Sequence, residues 1–189
     1  MRTKDPNIRQ QILDTAGQLF NEHGYRAVGV ELVLEKSGFA KATLYRHFKG
    51  KDALVAAYLA RRGESHLAWL KQSVERAKGS KLVAIFDALE KWFRSPDFYG
   101  CSFIHAVSEY PDPGHVVRQT VDAVMNAMQD WLTELTTEEK LKQPKAKARQ
   151  FLLLIEGAKL RAEATRTPAP AREAKAIAQA LLDTARDCE

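Results

Sequence analysis

The chain of 189 residues has few of the features that mark secreted, membrane-spanning or redox-active proteins. Its two cysteines, Cys101 and Cys188, are far apart in the sequence and match no metal-binding or redox motif. Its apolar runs, such as FLLLI at 151–155, are much shorter than the roughly 20 residues of a transmembrane helix. The N-terminus also lacks the apolar core of a secretory signal. We therefore expect a cytoplasmic protein that does not associate with a membrane and whose thiols stay reduced.

The chain also lacks the groups of residues that carry catalysis. We find no Ser-His-Asp arrangement, no pair of catalytic carboxylates and no glycine-rich phosphate loop. Cys101, His105 and Glu109 are spaced to lie on one helix face, but they would span about 12 Å, too far to bind one ion together. A Cys–His pair completed by a residue such as His115 stays open, beside the alternative that Cys101 packs as a small hydrophobe. We expect neither an enzyme nor a bound metal or other cofactor.

The alternating pattern of a half-buried strand is missing over any useful length, whereas apolar residues recur at helical spacing along most of the chain. This predicts an all-α fold. Thr136 and Glu139 have the spacing of a capping box, which predicts an extra helical turn before Pro144. Gly, Ser and Pro breaks separate about nine helices, which we predict near 8–20, 30–36, 40–48, 51–78, 80–93, 101–109, 115–135, 145–165 and 171–187.

The net charge of +5 is confined to the first third of the chain. Residues 1–62 hold eleven Lys and Arg and six Asp and Glu, whereas residues 63–189 hold eighteen of each. Such an asymmetry predicts an anionic partner for the first third, and nucleic acid is the commonest one. The alternative is a basic surface that has no partner.

The stretch FAKATLYRHFKGKDAL, at 39–54, combines a short helix with a high density of hydrogen-bond donors. Leu44 and Phe48 are spaced to pack inward, and the preceding short helix and the break at Gly38 give the order of a helix-turn-helix unit. Outward donors are what contacts with DNA phosphates and base edges require. The alternative is a charged amphipathic helix that binds no DNA. The residues that we predict to enter a major groove are Lys41, Ala42, Tyr45 and Arg46.

Residues 12–54 resemble the DNA-binding domain of the TetR family of bacterial transcriptional regulators. The resemblance rests on the apolar stripe of the first helix, on Gly24-Tyr25 and Gly38, and on TLYRHF at 43–48 with Lys51. It covers roughly residues 8–54, and the rest of the chain matches the family only in architecture. The resemblance implies that four residues contact the DNA backbone: Thr43, Tyr45, His47 and Lys51.

Two positions depart from the family pattern. Ala40 stands where the family has a Ser or Thr that caps the recognition helix, and the loss of such a cap costs about 1 kcal/mol. Val28-Gly29 stands where hydroxyl residues begin the second helix. Phosphate contacts at Gly29 are therefore expected from backbone N–H groups.

The resemblance also implies a division into two domains. Residues 1–50 would form the helix-turn-helix DNA-binding domain, and a long helix would join it to an effector-binding and dimerisation bundle at 51–189. In the family, the region equivalent to 63–140 holds a small-molecule pocket, and the alternative for each aromatic or Met residue here is ordinary core packing. The candidate ligand-binding residues are Trp69, Phe86, Trp92, Phe93, Phe103, His105, Tyr110, Met125 and Met128.

The segment ARQFLLLIEGAKLRAEAT, at 148–165, is apolar around much of its circumference. It can therefore fill the core of its own subunit and still leave a face to be covered by another. In the family, the last two long helices form a four-helix dimer interface. The alternative is a buried helix in a monomer. The candidate interface residues are Phe151, Leu154, Gly157, Ala158, Arg161, Ile177 and Leu181.

Together these observations predict a ligand-responsive, DNA-binding transcriptional regulator. In the form we favour, a homodimeric repressor binds a palindromic operator and is released by a small lipophilic or aromatic effector. A DNA-binding regulator or architectural protein without such an effector is the alternative. A helical-bundle enzyme or a metal sensor finds little support in the sequence.

Overall fold

A computed structural model describes residues 7–186, except for the side chain of Arg186. Within these residues the chain forms nine α-helices and no β-strand, which confirms the all-α prediction. None of these helices is both long and apolar enough to cross a membrane. Asp187, the predicted end of the last helix, and Cys188 lie outside the described residues. The helices are α1 (Ile8–His23), α2 (Val30–Ser37), α3 (Lys41–His47), α4 (Lys51–Val74), α5 (Lys81–Phe93), α6 (Ser102–Glu109), α7 (Val116–Glu138), α8 (Pro144–Thr165) and α9 (Ala169–Arg186).

The described residues form two compact units, and each combines separate parts of the sequence. The first unit contains residues 7–63 and Ser102–Ala123, and the second contains Glu64–Cys101 and residues 124–186. The division into domains at residue 50 stays a prediction.

In the first unit, α1 packs against α2 and α3 through its apolar stripe. Ile12, Leu13 and Ala16 on this stripe have no exposed surface. Gly17 lets α1 approach α4 closely, because a Cβ atom at this position would lie 2.5 Å from the ring of Tyr58. The stripe that predicts the helix therefore also forms the core of this unit.

A carboxylate fixes the backbone that follows α1. Glu109, the last residue of α6, accepts hydrogen bonds from the backbone N–H groups of Tyr25, at 3.0 Å, and Arg26, at 2.6 Å. The Tyr25 hydroxyl donates to the carbonyl oxygen of Ser102 at 2.9 Å. Gly24 makes this turn with a φ of 82°, a conformation that L side chains rarely adopt. Both ends of α6 are thus tied to the end of α1.

The second unit has a continuous apolar core in which α5 and α8 pack against α9 and against each other. The predicted cap at the start of α5 is confirmed, since the Ser80 hydroxyl accepts a hydrogen bond from the Val83 N–H at 3.3 Å.

The predicted capping box at Thr136 and Glu139 is wrong, because Thr136 lies within α7, which ends at Glu138, so no new helix starts at Thr136. Thr136 is buried, and its hydroxyl lies 3.0 Å from the carbonyl oxygens of Thr133 and Pro144. The Glu139 carboxylate accepts from the Ser80 hydroxyl at 2.9 Å and from the Leu82 N–H at 3.4 Å. Glu139 therefore supports the start of α5 rather than a helix of its own.

We predict that Glu139→Gln lowers the free energy of unfolding by about 1 kcal/mol, because a charged acceptor at the start of α5 is replaced by a neutral one. Urea unfolding followed by circular dichroism measures this change. Glu138→Gln is the matched control, because its pair with Lys81 is exposed and contributes little. Equal losses in the two variants would contradict this role of Glu139.

Candidate nucleic-acid interface

The candidate recognition helix, α3, is held between two breaks. Gly38 ends α2 in the left-handed conformation, with a φ of 71°, and its N–H donates to the Leu34 carbonyl at 2.9 Å. Phe48 follows α3 in an extended conformation and is buried. Leu44 is 0% exposed, so both predicted inward residues pack inside the unit.

The remaining side chains of α3 mostly face solvent. Tyr45 is 45% exposed, although large aromatic side chains are usually buried. Thr43 is half-buried. The orientation predicted for the donor-rich face agrees with this exposure, while the DNA contacts themselves stay a prediction. The other exposed positions are Lys41, Ala42, Arg46 and His47.

The starts of α2 and α3 have no side-chain cap. Gly29 and Ala40 are the N-cap residues, both in extended conformations, and neither residue has a side-chain atom that could accept a hydrogen bond. The first N–H groups of an α-helix have no partner within the helix, so both starts can receive an anion. At these two departures from the family pattern, backbone N–H groups would therefore have to make any contact with a phosphate.

Two of the predicted DNA-binding lysines make contacts within the protein. The Lys51 ammonium donates to the carbonyl oxygen of Arg26 at 2.7 Å. The Lys41 ammonium lies 3.4 Å from Oε1 of Glu31 on α2. The structure therefore assigns Lys51 a role in fixing the turn after α1, and its phosphate contact stays a prediction.

Arg9 was missed by sequence reasoning. Its guanidinium lies 5.2 Å from the centre of the Phe48 ring, so an exposed cation of α1 stands beside the end of α3. The two residues are far apart in the sequence, and no local pattern marks the pair.

His115 joins the start of α7 to the start of α4 within the first unit. Its Nδ1 accepts from the Val117 N–H at 3.2 Å, and its Nε2 lies 3.2 Å from the Asp52 carboxylate. The Tyr110 ring packs on this imidazole, with 4.7 Å between ring centres. Burial, and then the charges of Asp52 and Glu109, raise the pKa of Tyr110 above its usual value.

The candidate ligand-binding residues fall in both units. Phe103, His105 and Tyr110 belong to the first unit, and the others belong to the second. In the second unit, Trp69 and Trp92 are half-buried, with 6.0 Å between their ring centres. The effector pocket stays a prediction. Of the remaining residues, Phe86, Phe93 and Met128 are buried in the core of that unit, and Met125 is half-buried.

The candidate metal ligands have other partners. The Cys101 thiol is buried and lies 3.4 Å from the Glu156 carboxylate, while Glu109 binds the turn after α1. Across the described residues, no group of three or more His, Cys, Asp and Glu side chains is placed to hold a metal ion.

The dimer interface stays a prediction, and two of its seven candidate residues lie in the core. Phe151 and Ala158 are buried in the core of their own subunit, so they leave almost no surface for a second chain. Leu153 and Leu160, which we did not single out, are 73% and 49% exposed. Ile177 on α9 is 56% exposed. Gly157 and Arg161 are exposed, and Leu154 and Leu181 are half-buried.

The chain is similar in sequence and in structure to known transcriptional regulators. The family model TetR_N, described as bacterial regulatory proteins of the tetR family, matches residues 12–58. The HTH-type transcriptional regulator YjdC of Escherichia coli K12 is 29% identical over 181 residues, which cover 94% of this chain and 95% of that protein. SCO4454, a TetR-family transcriptional regulator from Streptomyces coelicolor, has a similar crystal structure, with a TM-score of 0.85 and 29% identity over 96% of this chain and 91% of that one. A TetR transcriptional regulator from Chloroflexus aurantiacus shares the fold, with a TM-score of 0.79, 22% identity and coverage of 97% and 96%.

We predict opposite outcomes for two neighbouring residues of α3. Leu44→Ala removes a fully buried side chain and lowers the free energy of unfolding by about 2–5 kcal/mol. Tyr45→Ala changes an exposed residue and costs less than about 1 kcal/mol. Urea unfolding of both variants measures the difference. A loss for Tyr45→Ala as large as that for Leu44→Ala would show that Tyr45 packs in the core.

Proposed function

Because this chain belongs to the TetR family and is a DNA-binding transcriptional regulator, we propose that it is a homodimeric repressor that binds a palindromic operator. We further propose that it acts in the cytoplasm and is released from DNA by a small lipophilic or aromatic effector. The observation that carries the proposal is the donor-rich, exposed face of α3, which is built on a buried Leu44.

The side chains of this face suit contacts with DNA bases and phosphates. Arg46 can bind the O6 and N7 atoms of guanine through two hydrogen bonds, and Ala42 is small enough to touch a thymine methyl group. Tyr45 and His47 can donate to phosphate oxygens, which positions the helix but carries no sequence information. The excess of positive charge in residues 1–62 favours the approach of any DNA.

A dimer follows from the need to bind two half-sites. One recognition helix contacts few base pairs, and helix-turn-helix proteins gain selectivity by pairing about one helical turn of DNA apart. Leu153, Gly157 and Leu160 have the i, i+4 and i+7 spacing of one helix face, and Ile177 adds an exposed apolar side chain on α9. Apart from its chain neighbours and the backbone of its own helix, no atom lies within 4 Å of a Cβ atom built at Gly157, which leaves room for the close approach of a second helix.

An effector would act by changing the populations of two conformations. A small molecule that binds better to the form whose recognition helices no longer fit successive major grooves would release the operator. Trp69, Trp92 and Phe98 supply partly exposed aromatic surface in the second unit, which suits a lipophilic or aromatic molecule.

We predict that the protein protects a near-palindromic site in DNA from upstream of its own gene or its neighbours, and that Tyr45→Ala weakens this binding about 10-fold, the loss of one hydrogen bond to a phosphate. Footprinting measures the protection, and fluorescence anisotropy at the same moderate salt concentration for both proteins measures the affinity. Tyr99→Ala is the matched control, because Tyr99 is 47% exposed and lies outside the helix-turn-helix residues. Binding that fades with salt and protects no discrete site would contradict sequence-specific recognition.

We predict that Leu153→Glu converts the dimer to a monomer, because a charge would be buried without a partner in the interface. Analytical ultracentrifugation at micromolar concentration measures the change. Val116→Glu is the matched control, because Val116 is 46% exposed at the start of α7 and lies outside the proposed interface. A Leu153→Glu variant that remains as dimeric as the wild type would place the interface elsewhere.

A further inference from the structure

Glu31 lies where two candidate phosphate-binding groups meet. One group is the uncapped start of α2, and the other is the Lys41 ammonium at the start of α3. Oε1 of Glu31 lies 3.4 Å from the Lys41 Nζ. Oε2 lies over the N-cap residue, 3.6 Å from a Cβ atom built at Gly29. One carboxylate therefore reaches both groups.

This carboxylate resembles a bound phosphate in its charge and its partners. A hydrogen bond from the backbone N–H of Glu31 itself, and then the Lys41 ammonium, lower the pKa of Glu31 below its usual value. Glu31 is therefore ionised at neutral pH. An anionic oxygen on a helix-start N–H and on a lysine ammonium is the arrangement that a DNA phosphate adopts at such sites.

The side chain is free to leave this position. The Glu31 side chain is 76% exposed and the Lys41 side chain is 64% exposed, so water reaches both charged groups. An ion pair of this kind is weak in water and exchanges readily. A DNA phosphate that approaches the same groups meets a competitor that it can displace.

We propose that the Glu31 carboxylate occupies the place of a DNA phosphate in the unbound protein and thereby weakens binding to any DNA. This inference rests on the proposed placement of α3 at the DNA. The competition acts on phosphate contacts, which supply nearly all of non-specific binding. It would weaken operator and non-operator binding by the same factor, so it would raise the fraction of unbound protein without changing the ratio of the two affinities.

The test compares Glu31→Gln with wild type on two labelled duplexes, the footprinted site and a scrambled duplex of the same length and composition. Fluorescence anisotropy at several salt concentrations gives the dissociation constants. We expect Glu31→Gln to bind both duplexes about 5-fold more tightly, as expected for the release of one exposed ion pair and the gain of a phosphate contact. We also expect the plot of the logarithm of the binding constant against the logarithm of the salt concentration to become steeper, by the release of up to about one more counterion.

Two further variants separate this competition from a general change in charge. Glu35→Gln makes the same charge change one turn later on α2, where Glu35 is exposed and lies 3.5 Å from Lys36. We expect it to change affinity less than about 2-fold, since its carboxylate pairs with Lys36 rather than with Lys41 at the start of α3. In a Lys41→Gln background, the gain from Glu31→Gln should shrink, because one of the two groups that Glu31 occupies is missing.

Four results would overturn the inference. Equal gains for Glu31→Gln and Glu35→Gln would show that only the overall charge matters. Weaker operator binding by Glu31→Gln would show that the carboxylate contacts DNA itself. Wild-type protein that binds neither duplex would overturn the proposed function as well, whereas wild-type binding without a Glu31→Gln gain overturns this inference alone. Thermal melting followed by circular dichroism, which we expect to be unchanged, confirms that the variants are folded.

Discussion

A helix of seven residues is too short to be stable alone in water, and the part of the protein proposed to bind DNA is organised around this constraint. α3 has no side-chain cap, so its shape depends on the burial of Leu44 and Phe48. α1 supplies part of the surface on which α3 packs, and Glu109 in turn fixes the backbone that follows α1. The residues proposed to contact DNA are therefore positioned by residues that do not face it.

The same unit uses much of its positive charge internally. Lys51 donates to the backbone after α1, Lys41 pairs with Glu31, and the Arg61 guanidinium lies 2.8 Å from the Asp14 carboxylate. The net charge of a segment therefore overstates the number of cations that a DNA backbone can engage at once. Arg46 is exposed on α3, and Arg9 is held beside Phe48 by a contact that leaves its side chain at the surface.

Features that depend on neighbouring residues could be predicted from the sequence, and those that depend on distant ones could not. Helical spacing and glycine breaks marked the helices. Ser80 could be recognised as a cap because its hydroxyl oxygen accepts from the N–H of Val83, only three residues later in the sequence. Thr136 and Glu139 show the same spacing, but Glu139 accepts from the N–H of Leu82 in the first turn of α5, 57 residues away in the sequence. Likewise, α8 is apolar on most sides, so its sequence does not show which side is buried. The burial of Phe151 and the exposure of Leu153 could therefore be read only from the packed structure.

Carboxylates on backbone N–H groups recur in this protein, and their burial separates their roles. Glu109 holds the turn after α1, Glu139 holds the start of α5, and Glu163 accepts from the Cys101 N–H at 3.2 Å. These three side chains belong to residues that are at least half-buried, where water competes poorly for the same N–H groups. The Glu31 carboxylate lies beside the start of α2 at an exposed position, so water and other anions have access to it. An interaction that stabilises the fold where it is buried becomes exchangeable where it is exposed, and the start of α2 is where an exchange with phosphate would matter.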